Sequence, residues 1–259
     1  MHAEQNTFPR MRLLQSSLPF TFMANSIHKD MLMGVIYSQV DSLKPAEGPV
    51  REEFDGGLYL LSHMSFVNDY IDIPAFSRQK QILEELELDT QVFMGTNEQI
   101  IRKAFAGKDL AVNNMFDIVN IEETIKTMYC IDSYDLNKMS PNKILYRSGY
   151  HDESSTINKA KRPLHRLPVL SDENKIFGSQ FGSINHAPLD EDSKNILTVV
   201  FGFGLSIADL DEFSSNLISL KTRQETDCSS KTIKMAIISG YPSVYEYNNE
   251  PRPRIVCGY

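Results

Sequence analysis

The chain has 259 residues, 41% hydrophobic and 23% charged, enough to bury one large core or two modest ones. Its 26 Lys and Arg stand against 34 Asp and Glu, and the resulting formal charge of −8 argues against a protein whose affinity comes from neutralising nucleic-acid phosphates. No apolar run approaches the roughly 18 residues of a membrane-spanning helix. Residues 1–10 (MHAEQNTFPR) lack the charged start and apolar stretch of a signal peptide, so the cytoplasm is the expected compartment. In chain order, residues 32–40 (LMGVIYSQV) form a short apolar run rich in β-branched and aromatic side chains and read as a strand. The Pro/Gly loop 44–50 (KPAEGPV) follows, and after the turn residues Asp55, Gly56 and Gly57 the segment 58–61 reads as a strand returning beside the first. Leucines and charges at helical spacing predict a helix over 79–88, and a firmer one over 115–130. In the latter Ile118, Ile121, Ile125 and Met128 make one face, expected to pack on a sheet, while Glu122, Glu123 and Lys126 lie elsewhere.

Ser140, Pro141 and Asn142 punctuate the chain before a candidate strand at 143–146 (KILY). The densest basic run, 158–166, carries Lys159, Lys161, Arg162 and Arg166; it is either a solvated segment or a contact for an acidic partner. Residues 196–203 (ILTVVFGF) give the strongest buried-strand signal, and a Gly turn leads to a second strand at 207–210. A last strand is expected at 233–239 (IKMAIIS), before a tail containing Pro251 and Pro253. Short strands alternating with helices imply α/β layers, and no linker cuts residues 1–259 into independent domains.

Few motifs point to chemistry. Gly202 and Gly204 do not extend to a dinucleotide fingerprint because Ile207 takes the third glycine position, so no cofactor is expected. His151, Asp152 and Glu153 cluster without a second His at helical spacing or a nearby cysteine pair, and no metal is expected. The three cysteines, Cys130, Cys228 and Cys257, are odd in number and far apart, which suits free thiols rather than a disulfide framework. Gly182-Ser183 is followed by Ile184-Asn185 rather than the glycine of a hydrolase nucleophile elbow.

Four segments, read in order, resemble ketoacyl-ACP synthase III. DLAVNNMFDIVNIEETIKTMYC (109–130) is similar to the family stretch leading into an amphipathic helix, and SPNKILYRSGYHDESSTINKA (140–160) to the strand and helix that bring in a His-Gln-Ala-Asn motif. RLPVLSDENKIFGSQFGSINHAPL (166–189) resembles the Tyr-Gly-Asn-Thr-Ser segment, and NILTVVFGFGLSIADL (195–210) the closing Gly-rich strand. The resemblance implies a thiolase-like layered α/β fold with a mixed sheet, incomplete at the amino end, with 211–259 a C-terminal extension of unassigned role. In the family a Cys attacks an acyl thioester while a His and an Asn polarise the second carbonyl. Arg147 stands where the His is expected, and a guanidinium has no acceptor nitrogen. The Asn position falls on Ser179 or Ser183, according to which FGS of FGSQFGS is aligned, and the nucleophile would lie before Met11, with Cys130 placed on the amphipathic helix instead. Displaced substitutes are His151, Asn185 and His186.

The resemblance therefore implies a noncatalytic partner or scaffold subunit in fatty-acid or polyketide-type biosynthesis. Its expected partners are an acyl carrier protein or a full-length ketosynthase, in a homodimer or heterodimer, with no nucleic acid and no membrane. The alternatives are an acyltransferase of the same superfamily using His151, or His186 with Ser183, and an unrelated α/β binding protein.

Overall fold

The structure, a computed structural model, describes residues 18–24, 28, 31–63, 74–140, 143–157, 160–182, 184–224, 232–239, 244–247 and 254–256. Its elements are β1 (Thr21–Ala24), β2 (Met31–Gln39), α1 (Gly48–Ser62), α2 (Pro74–Glu85), α3 (Thr96–Phe105), α4 (Met115–Thr127), β3 (Cys130–Asp135), β4 (Lys143–Ser148), β5 (Ser154–Ile157), β6 (Ala160–Pro163) and β7 (Pro168–Ser171). They continue with β8 (Ile176–Ser179), β9 (Ile184–Asn185), β10 (Asn195–Phe203), α5 (Ile207–Gln224), β11 (Thr232–Ser239), β12 (Val244–Tyr247) and β13 (Arg254–Val256). The six-stranded sheet runs β13-β12-β11-β2-β10-β3 and is antiparallel throughout. The five-stranded sheet, β1-β4-β7-β8-β9, is mixed, because β1 and β4 are parallel and the other pairs antiparallel. A separate hairpin joins β5 and β6.

The expected strands at 32–40 and 196–203 form as β2 and β10, paired in antiparallel register from Asn195 opposite Gln39 to Phe203 opposite Met31. Alternation explains the packing: Met31, Met33, Val35 and Tyr37 point to one face of the sheet, as do Leu197, Val199 and Phe201. Those side chains share one core with Phe22, Ile144, Tyr146, Val169 and Phe177 of the five-stranded sheet, so the two sheets stack directly on each other. Tyr146 and Phe201 meet across the layer with ring centroids 6.2 Å apart. The opposite face, Ile36 and Val200, packs on Val119 of α4 and on Leu210 and Leu217 of α5. Helices thus cover the six-stranded sheet, while Ile82 and Leu83 of α2 enter the core between the sheets.

Mixed α/β architecture is as expected, and four local expectations are corrected. Residues 58–61 belong to α1, not to a strand: Phe54 is buried and Leu58 packs beside it against Ala104 and Ile118, and this i, i+4 contact outweighs the low helix propensity of Gly56 and Gly57. Residues 207–210 open α5, not a second strand. The Asp209 N–H donates to Ser206 Oγ at 3.1 Å and the Ser206 N–H to Asp209 Oδ2 at 3.2 Å, a reciprocal cap that starts the helix. Helix α4 ends at Thr127, with Met128 in the left-handed conformation (φ 64°), so Cys130 begins β3 instead of closing the helix. Ile118, Ile121 and Ile125 pack with α1 and α3, and Val119, on the neighbouring face of α4, meets the sheet.

The strand expected at 233–239 forms as β11 and pairs along β2 from Thr232 opposite Gln39 to Ser239 opposite Leu32. This stretch therefore covers an edge of β2. Among the described residues no helix is long and apolar enough to cross a membrane.

Helix α5 lies so close to β2 that a Cβ on Gly34 would sit 2.4 Å from Ser214 Oγ, a buried hydroxyl with no hydrogen-bond partner. Gly34→Ala should cost about 1–3 kcal/mol by overpacking, and adding Ser214→Gly should recover much of the loss. Urea unfolding of the two variants checks this; equal stability of Gly34→Ala and the parent would show that α5 does not sit where described.

Candidate functional site

The side chains at the expected catalytic positions are engaged in structural bonds. Arg147, at the end of β4, is buried and grips Glu153 with two bonds, Nη2 to Oε1 at 2.6 Å and Nη1 to Oε2 at 2.8 Å. Its Nε donates to Ser171 Oγ at 3.1 Å, and its guanidinium carbon lies 4.1 Å from the centre of the Tyr150 ring. The Tyr150 N–H also donates to Glu153 Oε2, so one ion pair fixes the turn between β4 and β5. Burial raises the Glu153 carboxyl, but the bonds from Arg147 and Tyr150 outweigh it and hold the group below its ordinary value.

Ser179, buried at the end of β8, donates to the Pro168 carbonyl at 2.7 Å and accepts from the Phe181 N–H at 3.1 Å. Ser183 lies outside the described residues. Asn185 donates to Asp132 Oδ1 at 3.2 Å and to the Ser133 carbonyl at 3.1 Å, while its Oδ1 accepts from the Ala187 N–H at 3.1 Å. This one residue stitches β9 to the free edge of β3. His186 is exposed, with Nδ1 3.2 Å from the Ile176 carbonyl and Nε2 3.3 Å from Ser155 Oγ. His151 is exposed and lies against His165, ring centroids 5.3 Å apart. These residues are thus dispersed over separate struts: His186 bridges β5 and β8, whereas Arg147 and His151 belong to the β4–β5 turn.

Cys130 is fully buried at the start of β3, and burial first, then the nearby Asp132 charge, push its thiol well above the usual range. Enclosure and weak acidity both disfavour nucleophilic attack by this thiol. Cys228 and Cys257 lie outside the described residues. Of the basic run, Lys161 and Arg162 are exposed on β6 and Arg166 pairs with Glu87; Lys159 lies outside the described residues. Among the described residues no group of three or more His, Cys, Asp or Glu side chains is arranged to hold a metal ion.

Two features were not singled out in the sequence. The first is Asp132, on the core-facing side of β3, where burial pushes its carboxyl up to about 7, opposed by donors from Tyr134, the Ser133 N–H and Asn185. The second is a cleft of about 630 Å³ between α2 and the segment leading into α3. Phe76, Leu83 and Met94 give it apolar wall, and Lys80, Glu84, Glu98 and Arg102 bring both signs of charge. Arg102 bonds Glu98 Oε1 through Nε at 2.8 Å, and Lys80 lies 4.0 Å from Glu84.

Gln79, only 2% exposed, lines the cleft as the last member of a hydrogen-bond relay. The Met128 carbonyl, turned out by the left-handed end of α4, accepts from Asn97 Nδ2 at 2.6 Å, and Asn97 Oδ1 accepts from Gln79 Nε2 at 3.0 Å. The backbone carbonyl at one end fixes the polarity of both amides. Gln79 Oε1 is left buried without a donor. Gly95 makes the arrangement possible, since a Cβ there would stand 2.3 Å from Gln79 Oε1. Gln79 and Asn97 are eighteen residues apart on different helices, a pairing that no sequence motif announces.

The chain matches no protein-family model and no curated protein.

Asp132 makes stability depend on pH. Its folded pKa of about 7 lies above the ordinary 3.8, so the native state keeps a proton that the unfolded chain has already released between these values. The stabilisation is therefore full below about pH 4 and is lost as pH rises to about 7. Asp132→Asn should raise stability by about 1–3 kcal/mol near pH 8 and leave it unchanged near pH 4. Denaturant unfolding at the two pH values checks this, and an equal effect at both would show that the carboxyl is ionised throughout.

Proposed function

We propose that this chain is a noncatalytic binding protein whose ligand site is the cleft between α2 and α3. The observation that carries this reading is the engagement of Arg147, Ser179 and Asn185 in buried or structural hydrogen bonds, together with the enclosure of Cys130. A catalytic group must be within reach of substrate and in the right protonation state, and none of these four combines the two. The narrower reading, a noncatalytic partner of a ketosynthase working with an acyl carrier protein, is supported by the four similar segments. They occupy α4 to β3, β4 to β6, β7 to β9, and β10 to the start of α5. Direct stacking of one sheet on the other adds nothing to it, and β11 pairs along one edge of β2, so that edge is not open to a second subunit.

One observation favours a second reading, acyl transfer through displaced residues. With the Ile176 carbonyl accepting from His186 Nδ1, the Nε2 atom is left as an acceptor for Ser155 Oγ. Ser155 is buried, and the cleft is lined by other elements.

Incubating the chain with malonyl- and acetyl-coenzyme A distinguishes the two readings. The binding reading expects no gain in intact mass and no release of carbon dioxide. An acyl adduct on the Ser155 peptide, abolished by Ser155→Ala or His186→Ala, would establish acyl transfer in its place.

A further inference from the structure

We propose that the α2–α3 cleft takes a small zwitterion with an apolar side chain: a free amino acid or a dipeptide. This deepens the binding reading and rests on it. The first ground is the relay from Met128 through Asn97 to Gln79, whose direction is fixed by the backbone carbonyl at its start. It ends in a buried acceptor, Gln79 Oε1, on a residue that lines a ligand-sized cavity. A buried carbonyl oxygen without a donor is costly, so a ligand bringing an N–H gains more here than at a surface already satisfied by water.

The second ground is charge. Two carboxylates, Glu84 and Glu98, and two cations, Lys80 and Arg102, line the same cavity. Each pair sits on a single helix at i, i+4 spacing, and the side chains of both pairs retain solvent exposure. Pairs of this kind hold together weakly and exchange partners readily. An ammonium answers the carboxylates and the Gln79 oxygen, and a carboxylate answers Lys80 and Arg102. A purely anionic or purely cationic ligand would leave half of the lining opposed to it. Phe76, Leu83 and Met94 supply the apolar wall for a side chain.

Isothermal titration of the full chain with L-leucine and with L-leucyl-L-leucine tests the inference, using N-acetyl-L-leucine and L-leucinamide as probes that each lack one charge. At least one zwitterion should bind, and loss of either charge should weaken binding tenfold or more. Binding of leucine supports a site for the free amino acid, and binding of the dipeptide alone supports a site for the dipeptide. Ser77→Trp, placed at an exposed position in the cleft lining and away from the relay, should abolish binding without altering the melting temperature. Gln79→Leu should weaken binding as well, but it also breaks the Asn97 bond and is read only beside Ser77→Trp. Binding of the singly charged probes as tightly as the zwitterions, still blocked by Ser77→Trp, would overturn the zwitterion while leaving the cleft a binding site. Failure of all four probes to bind the folded parent would overturn the inference, whereas the noncatalytic reading stands or falls by the acyl-adduct measurement alone.

Discussion

Stacking of the six-stranded sheet on the five-stranded sheet is the interaction on which the rest of the structure depends. Met33, Val35, Leu197 and Val199 are fully enclosed between them, and each such side chain contributes roughly 1.5–3 kcal/mol when buried. On the other face Ile36 and Val200 lie under α4 and α5. With β2 and β10 covered on both sides, a polar group placed between the layers must find its partner inside the protein. Tyr146 accepts from Gln180 Nε2 at 2.7 Å, and Tyr134 donates to Asp132 at 3.1 Å. Close approach is part of the same constraint, since a Cβ on Gly178 of β8 would lie 2.5 Å from the Tyr134 ring.

That constraint separates structural chemistry from binding chemistry. Cys130, Tyr134, Tyr146 and Ser179 lie within the stack, and burial weakens the acidity of its thiol and phenols. Arg147 lies just outside it and is neutralised by Glu153. The cleft lies away from the sheet pairing, where α2 meets the approach to α3, and Gln79 in its lining is tied to the fold through Asn97 and the end of α4. A left-handed residue at Met128 thus has a consequence in the site: it presents the carbonyl that sets the direction of the relay.

The strands at the centre were legible because their signal is local. Residues 196–203 are apolar at successive positions, as a strand covered on both faces requires, and 32–40 and 233–239 carry the same mark. Helix α4 was legible in its period but not in its contacts, because it is apolar on two neighbouring faces and the stripe through Ile118 and Ile121 meets helices rather than strands. The start of α5 was written in the sequence as Ser206 followed three residues later by Asp209, a capping pair that a short apolar run after a glycine obscured. Residues 58–61 were misread because Gly56 and Gly57 suggest a turn until Phe54 and Leu58 are seen to share a buried face. For the site, the strand expected at 143–146 put Arg147 at a strand end, but only the fold reveals Glu153 beside the guanidinium and Asn97 beside Gln79. These pairings are made by turns and by helices from separate parts of the chain.

Arg147, Ser179 and Asn185 serve the fold, and Arg147 with Glu153 is the sharpest instance. A double-mutant cycle of the parent, Arg147→Met, Glu153→Gln and the double variant, read by denaturant unfolding, measures it directly. A coupling of about 2 kcal/mol or more is expected, because Glu153→Gln leaves the buried Arg147 charge uncompensated and Arg147→Met does the same to the half-buried Glu153 carboxylate. Additive effects of the two substitutions, with no coupling, would contradict it.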